Sequence, residues 1–301
     1  MVITSILNKF AALENLEILD LSANDGMKGF DQVSLLKKLE ILNLGLNRFN
    51  ESFISSLSAL PMLKFLDLSN NWLVGRSFPI EALENLEILD LSANDGMKGF
   101  DQVSLLKKLE ILNLGLNRFN ESFISSLSAL PMLKSLDLSN NWLVGRSFPI
   151  EECTRLLRLK KLKLIHLRWN NFNESIISCL SALPSLKTLD LSHNDLGALA
   201  SFHHLEVLDL SENYFVGSIP STIQELSSLK AVSFANNYLN GSLLGFDQVS
   251  LLKKLEILNL KLNSFNESLI TSLSALPKLK SLDLSEYYPL GRSFPAKGGN
   301  D

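Results

Sequence analysis

Leucine recurs along this chain in a fixed pattern of apolar and polar positions, L-x-x-L-x-x-L-x-L-x-x-N. The pattern begins with LENLEILDLSAN at 13–24 and occurs twelve times, the last being LPKLKSLDLSEY at 276–287. The L-x-L pair has a period of two, so both leucines lie on one side of a short strand and the residue between them faces out. The pattern therefore predicts one short strand in each of twelve repeats.

A single short strand cannot bury its apolar face alone, so the repeats are expected to stack. Stacking places the strands parallel, about 4.8 Å apart, with the leucines of neighbouring repeats in one continuous core. Consecutive asparagines are mostly 23 or 24 residues apart, which leaves room for return segments between the strands. We predict an α/β solenoid, a superhelix with a parallel β-sheet on its concave face and loops, short 3-10 turns or helical turns on its convex face.

A longer repeat is superimposed on the short one. Residues 12–81 and 82–151 are identical except at one position, which is Phe65 in the first copy and Ser135 in the second. Two nearly identical copies indicate a recently lengthened scaffold rather than a tuned site. We expect one elongated domain at 13–295, an irregular segment at 1–12 that caps it incompletely, and a disordered tail at 296–301.

An asparagine closes eleven of the twelve repeats, where the chain turns away from the strand. Its amide can hydrogen-bond backbone groups that lack partners at that corner. Tyr287 takes this place in the last repeat, where we expect the ladder to end. The predicted ladder of buried asparagines consists of Asn24, Asn47, Asn71, Asn94, Asn117, Asn141, Asn170, Asn194, Asn213, Asn237 and Asn263.

Composition and charge narrow the classes of function. The 301 residues carry a net charge of −4 with a pI of about 5.7, which offers no general attraction to nucleic acid or to acidic lipid. The apolar runs fall short of the roughly 20 residues of a membrane-spanning helix, and the N-terminus lacks the features of a secretory signal. We expect no nucleic-acid partner, no membrane span in this chain, no cofactor and no metal site. The cysteines, Cys153 and Cys179, leave a disulfide or two free buried thiols open.

The repeats resemble leucine-rich repeats of the plant extracellular subtype. The resemblance rests on the recurring L-D-L-S-x-N units and on NYFVGSIPSTIQELSSL at 213–229, with its G-S-I-P at Gly217 to Pro220. With its F-N-E-S and G-R-S-F-P tails, the chain is most similar to the ectodomains of plant receptor-like proteins and receptor-like kinases. The resemblance implies a non-enzymatic module at the cell surface, in signalling or defence, that binds a peptide or protein ligand and a co-receptor on its concave face.

Two other functions stay open at this point. One is a secreted inhibitor similar to the plant polygalacturonase inhibitors, which use the same repeat subtype. The other is an intracellular scaffold, which the lack of a signal sequence favours. The family's usual cysteine-paired cap, membrane helix and kinase motifs are also missing from the sequence, so a truncated or partial receptor, or a decoy, is expected.

Five N-x-S sequons follow predicted strands, at Asn50, Asn120, Asn173, Asn240 and Asn266. They are expected on the turn and outer part of their repeats, where a glycan would leave the concave sheet free. Four of the five read N-E-S, so the tail could also have been copied along with its repeat. We interpret them as glycosylation candidates and as a sign of extracellular origin.

The outward side chains of the strands form the expected ligand-binding surface, because they can vary without damage to the leucine core. Most outward positions carry the recurring Asp and Ser of L-D-L-S, to which we assign no ligand role. The seventh repeat is different, since I-H-L-R-W-N supplies His166, Arg168 and Trp169, and the eighth adds His193. Tryptophan and arginine are enriched at interface hot spots, and arginine suits a ligand carboxylate. Phe65 is a further candidate for a ligand contact. The alternative for Phe65 is neutral sequence drift, and the alternative for the other residues is a purely structural role.

The sequence offers no catalytic constellation. Neighbouring strands should bring aspartates such as Asp67 and Asp90 to the carboxylate separation of retaining glycosidases. These aspartates recur in most repeats, however, with nothing that would give the two carboxylates different roles. We therefore predict that the protein is not an enzyme.

Overall fold

The computed structural model describes residues 13–25, 27, 31–75, 83–120, 123–141, 143, 154–200, 202–240, 252–265, 273–274 and 276–286. The segments predicted to be irregular or disordered, 1–12 and 296–301, lie outside these residues, as does Tyr287. The chain divides into two compact bodies. The N-terminal body is Met1–Asn171 with Leu183–Ser185, and the C-terminal body is Phe172–Ala182 with Leu186–Asp301.

The strands of the N-terminal body follow the repeat. In chain order they are β1 (Ile18–Asp20), β2 (Ile41–Asn43), β3 (Phe65–Asp67), β4 (Val74–Gly75), β5 (Ile88–Asp90), β6 (Gly96–Met97), β7 (Ile111–Asn113), β8 (Ser135–Asp137) and β9 (Leu164–His166). Seven of them, β1, β2, β3, β5, β7, β8 and β9, pair in parallel in that order, one strand from each of seven repeats. The two-residue strands β4 and β6 pair separately with each other.

The C-terminal body continues the same arrangement. Its strands are β10 (Thr188–Asp190), β11 (Val207–Asp209), β12 (Val216–Gly217), β13 (Ala231–Ser233), β14 (Tyr238–Leu239), β15 (Ile257–Asn259) and β16 (Ser281–Asp283). Strands β10, β11, β13, β15 and β16 pair in parallel in that order, while β12 pairs with β14. Each of the twelve repeats thus supplies one strand, which confirms the predicted repeat fold.

Short helices occupy several of the segments that return the chain from one strand to the next. The α-helices are α1 (Glu51–Leu57), α2 (Ile124–Leu127) and α3 (Ser175–Ser181), and 3-10 helices form at Asp31–Leu35, Asp101–Leu105 and Ser221–Glu225. Helix α1 buries Phe53, Ile54 and Leu57 against the core. These helical turns agree with the turns predicted between the strands.

Leucines fill the core, as the period of the pattern predicts. In the second repeat, Leu36, Leu39, Leu42 and Leu44 are all buried. A column of phenylalanines that the sequence analysis did not identify lies two residues after the ladder asparagines, and its members are fully buried at Phe49, Phe119, Phe172, Phe215 and Phe265. The F-N-E-S tail therefore begins with a core residue.

The predicted asparagines form hydrogen bonds that join one repeat to the next. All of them are buried except Asn24 and Asn170, which are partly exposed. Asn94 is typical, because its Nδ2 donates to Leu91 O at 3.0 Å in its own repeat and to Leu68 O at 3.0 Å in the preceding one. Its Oδ1 accepts from the backbone N–H of Leu73 at 3.1 Å. With a further bond from Nδ2 to Ser92 O at 3.2 Å, one amide satisfies four backbone groups that the turn leaves without partners.

The residue before each ladder position is held in the left-handed region of the backbone. Twelve such residues have φ between 51° and 57°, among them Leu46, Leu116 and Trp169. An L-residue with a Cβ pays for this conformation, and asparagine tolerates it better than leucine or tryptophan does. The turn requires the conformation in every repeat, whatever side chain the position carries.

We expect Asn94→Ala to lower the free energy of unfolding by about 3 kcal/mol, since buried carbonyls and an N–H lose their partner at roughly 1 kcal/mol or more each. Urea denaturation measures the change.

Asn117 supplies the matched control for this variant. It is also buried and donates to Leu91 O and Leu114 O at 3.0 Å, but its Oδ1 has no hydrogen-bond partner among the described residues. Asn117→Ala should therefore cost about 1 kcal/mol less than Asn94→Ala. Equal losses would show that the bond from Leu73 contributes nothing.

Candidate binding surface

The first and third residues of each three-residue strand point away from the leucine core, and we call the sheet surface they form the open face. The first residues are aliphatic or aromatic in most repeats of the N-terminal body, and we call them the apolar column: Ile18, Ile41, Phe65, Ile88 and Ile111. Ile18 is 62% exposed and Ile111 is 40% exposed. The register pairs place these side chains side by side on consecutive strands.

The third residues of these five strands and of β8 form a second column, which we call the acidic column although it includes two asparagines: Asp20, Asn43, Asp67, Asp90, Asn113 and Asp137. One oxygen of each side chain serves the fold, because Oδ1 accepts from the backbone N–H two residues later, as between Asp67 and Ser69 at 2.8 Å. The amides also bridge strands, since Asn43 Nδ2 donates to Asp20 Oδ2 at 3.1 Å. The aspartates therefore have a structural reason to recur.

Each copy of the 70-residue segment contributes three residues to the acidic column, which we call its acidic triplet. The last aspartate of the triplet has a different electrostatic environment in the two copies. Asp137 ends the second triplet, and its Oδ2 lies 3.6 Å from Nδ1 of His166. Burial pushes the pKa of Asp137 upward, but hydrogen bonds from His166 and Ser139 outweigh burial and hold the pKa below its ordinary value.

Asp67 ends the first triplet, and its partner in the register is another carboxylate, Asp90. Burial raises the pKa of Asp90 above its ordinary value, and the charge of Asp67 adds to the rise against hydrogen bonds from Ser92 and Asn113. Like charges therefore meet where the two copies join.

The charged residues that precede the strands are largely paired with one another. Lys64 lies 2.8 Å from Glu40, and Lys134 lies 2.6 Å from Glu110. In the C-terminal body, hydrogen bonds from Lys187 and Lys230 lower the pKa of Glu206 to about 2. These lysines are thus engaged with glutamates, whereas the acidic-column residue Asp137 has His166 beside it.

The predicted ligand-binding residues of the seventh and eighth repeats occupy two kinds of position. His166 is the third residue of β9 and lies on the open face, half-buried. Arg168 and Trp169 follow the strand and are exposed, and Trp169 has the left-handed φ of 55° required before a ladder asparagine. His193 belongs to the C-terminal body, where its Nε2 lies 3.0 Å from Oε1 of Glu212. Their role in ligand binding stays a prediction.

Phe65 lies on the open face between Ile41 and Ile88, its neighbours in the register. It is half-buried and continues the apolar column, whereas Ser135 interrupts the column at the equivalent place in the second copy. The single difference between the copies therefore changes the character of the open face. A ligand contact at Phe65 stays a prediction.

Sequence reasoning missed the apolar column, although the signal was present. Every L-E-I-L-D and L-E-I-L-N segment places isoleucine two residues before the outward Asp or Asn, so isoleucine shares the outward face. The outward positions singled out from the sequence were His166, Arg168, Trp169, His193 and Phe65, and the outward isoleucines were given no role. The exposed isoleucines correct that interpretation.

A second exposed group lies beside the corner of the N-terminal body. The guanidinium of Arg48 lies 2.7 Å from Asp25 and 5.1 Å from the ring centre of Trp72, which is 55% exposed. The second copy repeats the ion pair, with Arg118 2.7 Å from Asp95. Cation–π contact at an exposed site adds about 0.5–1 kcal/mol, so this group has a sufficient structural reason.

The sequons take part in the local structure of the return segments. Asn50 is the N-cap of α1, and its Oδ1 accepts from Ser52 N at 3.2 Å and Ser52 Oγ at 2.6 Å. Asn173 Oδ1 makes the same bonds to Ser175, at 3.2 and 2.8 Å. Asn50, Asn120 and Asn240 are exposed and Asn173 is partly exposed, whereas Asn266 lies outside the described residues.

The glutamate of N-E-S joins successive repeats. Glu174 Oε1 accepts from the backbone N–H of Gly197 at 2.7 Å, and Glu51 accepts in the same way from Val74 at the start of β4. Each residue of the N-E-S tail therefore has a contact in the fold, which accounts for its repetition independently of glycans.

Cys179 is buried in α3 and is disulfide-bonded, so the free-thiol alternative is wrong for this residue. Cys153 lies outside the described residues. Among the residues that the structure describes, no group of three His, Cys, Asp or Glu side chains is arranged to hold a metal ion. None of the helices in the described ranges has the length and apolar character needed to cross a membrane.

The electrostatic difference between the copies predicts opposite effects of one substitution. Asp67→Asn keeps the Oδ1 acceptor for Ser69 and removes a charge beside Asp90, so it should stabilise the protein at pH 7 by about 0.5 kcal/mol. Asp137→Asn removes a carboxylate that the fold favours in its charged form and should destabilise by a similar amount. Urea denaturation at pH 7 measures both changes.

The two effects should also differ in their dependence on pH. The raised pKa of Asp90 means that its ionisation costs stability as the pH rises through that pKa, whereas the lowered pKa of Asp137 means that its contribution is lost as the pH falls through it. As the pH falls, the effect of Asp67→Asn should fade first, through the raised pKa of Asp90, and the effect of Asp137→Asn should fade only at lower pH, through the lowered pKa of Asp137. The same sign for the two variants at pH 7 would contradict the electrostatic argument.

Two family models match the chain. One, described as "Leucine Rich Repeat", matches residues 62–86, 132–156 and 204–226, and another, described as "Leucine Rich repeat", matches residues 182–199. Among curated proteins, Receptor like protein 23 of Arabidopsis thaliana is 33% identical over 143 residues, which are 46% of this chain and 16% of that protein. Receptor-like protein 18 of the same plant is 33% identical over 189 residues, 61% of this chain and 22% of that protein. The chain thus spans less than a quarter of the length of these relatives.

Solved structures share the fold over most of the chain. A TDR receptor is 31% identical with a TM-score of 0.74, covering 94% of this chain and 50% of that one. A structure titled PEPR1-AtPEP1 is 27% identical with a TM-score of 0.65, covering 91% and 39%. An internalin from Listeria monocytogenes, 20% identical with a TM-score of 0.75 and covering 95% and 88%, shows the fold alone. The repeats, the parallel strands and these comparisons together show a chain of leucine-rich repeats with the leucine-rich repeat fold, similar to Arabidopsis receptor-like proteins and to a TDR receptor.

Proposed function

We propose that this chain is part of a plant cell-surface receptor-like protein and binds a peptide or protein segment on the open face. The observation that carries the proposal is the apolar column beside the acidic column, with exposed isoleucines such as Ile18 and Ile111 on a rigid sheet. The row is exposed at Ile18 and Ile111 and half-buried at Ile41, Phe65 and Ile88 between them, and apolar side chains that stay accessible side by side mark surfaces that a partner covers.

The comparisons support a recognition role. The curated relatives named above are receptor-like proteins, which favours this function over an enzyme inhibitor or an intracellular scaffold. The PEPR1-AtPEP1 structure combines a chain of this fold with a second component, AtPEP1, and we extend such binding to this chain. Signalling and a co-receptor belong to the same proposal, since the curated relatives are receptor-like proteins.

Binding without catalysis fits the chemistry of the open face. In each side chain of the acidic column, one oxygen accepts a hydrogen bond from the backbone. Asp67 accepts from Ser69 in this way, and Asp90 accepts from Ser92. Carboxylates fixed in this way orient a partner's donors well. A catalytic acid and base would need two separately tuned environments.

An extracellular location is supported by two features. Cys179 is disulfide-bonded, and disulfides persist mainly in oxidising compartments. The sequon asparagines Asn50, Asn120 and Asn240 are exposed and are not among the strand residues of the open face. A glycan on them would leave that face uncovered.

Glycosylation tests whether the sequons can carry glycans, as the extracellular proposal requires. When the chain is expressed in plant cells through the secretory route, intact-mass spectrometry should show N-glycans, and Asn50→Asp should remove one of them. Aspartate keeps the helix N-cap, so secretion should not change. Glu51→Gln, which preserves the sequon, is the control. Absence of glycan mass from the wild type would contradict the extracellular proposal.

Peptide selection tests the binding function. We expect a random 12-residue peptide library displayed on phage to yield peptides whose affinity falls about tenfold with Ile111→Ser, because an isoleucine buried by a ligand contributes about 1.5–3 kcal/mol. Serine occupies the same strand position naturally at Ser135, so the fold accommodates it. Calorimetry with the purified variants measures the affinities.

Val74→Ser is the matched control, since Val74 is 53% exposed but lies on β4 outside the open face. Peptides that bind both variants as tightly as the wild type would contradict the proposed surface.

Trp169→Asn tests the predicted patch in the same assay. Asparagine suits the left-handed conformation, so the variant should remain folded. A tenfold loss of affinity would place Trp169 in the contact surface, and unchanged affinity would remove it.

A further inference from the structure

The duplicated segment gives the open face a second, longer period. Strands β1, β2 and β3 come from the first copy, and β5, β7 and β8 come from the second. The register across the join, Phe65 with Ile88 and Asp67 with Asp90, continues the register within each copy without a shift. The N-terminal body therefore presents a three-strand surface twice in succession, with the same outward strand residues in both copies except Phe65 in the first and Ser135 in the second.

The distance between equivalent points on the two copies follows from sheet geometry. Three strand spacings at about 4.8 Å give about 14 Å. An extended peptide advances about 3.4 Å per residue, so four residues also span about 14 Å. Residues four apart in an extended chain face the same side, because the side chains alternate with a period of two. A spacing of three or five residues fails both in length and in the side to which the residues point.

The chemistry of the surface selects the side chains that fit it. The apolar column offers isoleucine and phenylalanine to aliphatic partners. The acidic column carries Asp20, Asp67, Asp90 and Asp137, while the nearby Lys64 and Lys134 are already paired with glutamates. Charge complementarity therefore favours lysine or arginine in the ligand over aspartate or glutamate.

We propose, resting on the proposed function, that the N-terminal body binds an extended basic segment that repeats an apolar residue and a lysine or arginine every four residues. Each tetrad occupies one copy of the three-strand surface. The second tetrad belongs to the same molecule as the first. Its contacts therefore add to the affinity without a second loss of translational and rotational entropy. The duplication thereby becomes a device for affinity toward a repetitive ligand.

Synthetic peptides test this inference on the wild-type chain. The first contains the tetrad Leu-Lys-Ser-Ser once, the second contains it twice in succession, and the third contains it twice with one additional serine between the tetrads. We expect the second peptide to bind at least tenfold more tightly than the first and the third, measured by calorimetry at 0.15 M salt, about physiological ionic strength. Equal affinities of the second and third peptides would overturn the inference.

Variants in equivalent positions of the two copies give an independent readout. Asp20→Asn and Asp90→Asn each alter one copy, so each should lower the affinity of the single tetrad by at most about twofold, because the other copy still binds it. Each should lower the affinity of the double tetrad much more. A larger effect on the single tetrad than on the double one would show that the copies are not equivalent sites.

A peptide with Glu in place of Lys separates this inference from the proposed function. Binding of the acidic double tetrad as tight as that of the basic one would overturn the proposed ligand chemistry. The proposed function would survive that result, because it depends on whether the library peptides lose affinity with Ile111→Ser.

Discussion

The side-chain amide of the ladder asparagine is the interaction on which the rest of this structure depends. The chain turns sharply at the end of each strand. This turn leaves backbone carbonyls and an N–H buried without backbone partners. Asn94 supplies donors and an acceptor to these groups in two repeats at once. The same corner imposes the left-handed residue before the asparagine and sets the strand direction. Each repeat is thereby fixed in register to its neighbour.

Much of the surface chemistry follows from this scaffold. Aspartate and asparagine recur on the open face because their Oδ1 atoms hold the backbone that leads into the corner, as in Asp90 with Ser92. The N-E-S tail recurs because its asparagine caps α1 and its glutamate holds the next repeat. Residues that look like functional motifs thus have structural contacts first. Any role in recognition is added to positions that the fold already requires.

The fold could be predicted from the sequence because its determinants are local and periodic. The L-x-L pairs predicted the strands, and the closing asparagines predicted the corners. The distance between corners along the sequence then predicted that the repeats stack. The buried phenylalanines such as Phe49 and Phe119 were missed because phenylalanine takes this place in only five of the twelve repeats, while leucine takes it in others, as at Leu73 and Leu143. The bonding of Cys179 was undecided because a disulfide depends on distances between segments that sequence spacing does not give.

The binding surface was harder to predict for a similar reason. His166, Arg168, Trp169 and His193 stood out by their residue type, yet their positions differ, since His166 is on a strand while Trp169 and His193 are corner residues. Ile111 did not stand out, because isoleucine in a strand looks like core until the outward face is assigned. The sequence therefore drew attention to residue types that occur once or twice among the repeats. The apolar column is made of common residues, and it is recognised only when neighbouring strands are aligned.

The unshifted register between β3 and β5 has a consequence for how this protein changes over generations. The leucine core is the same on both sides of the boundary between the copies. Unequal crossing-over within the gene can therefore insert or delete a 70-residue segment and still produce a chain that folds. Variation in length then comes in whole multiples of three strands. Natural selection can act on the extent of the surface in a single genetic event, without waiting for compensating substitutions in the core.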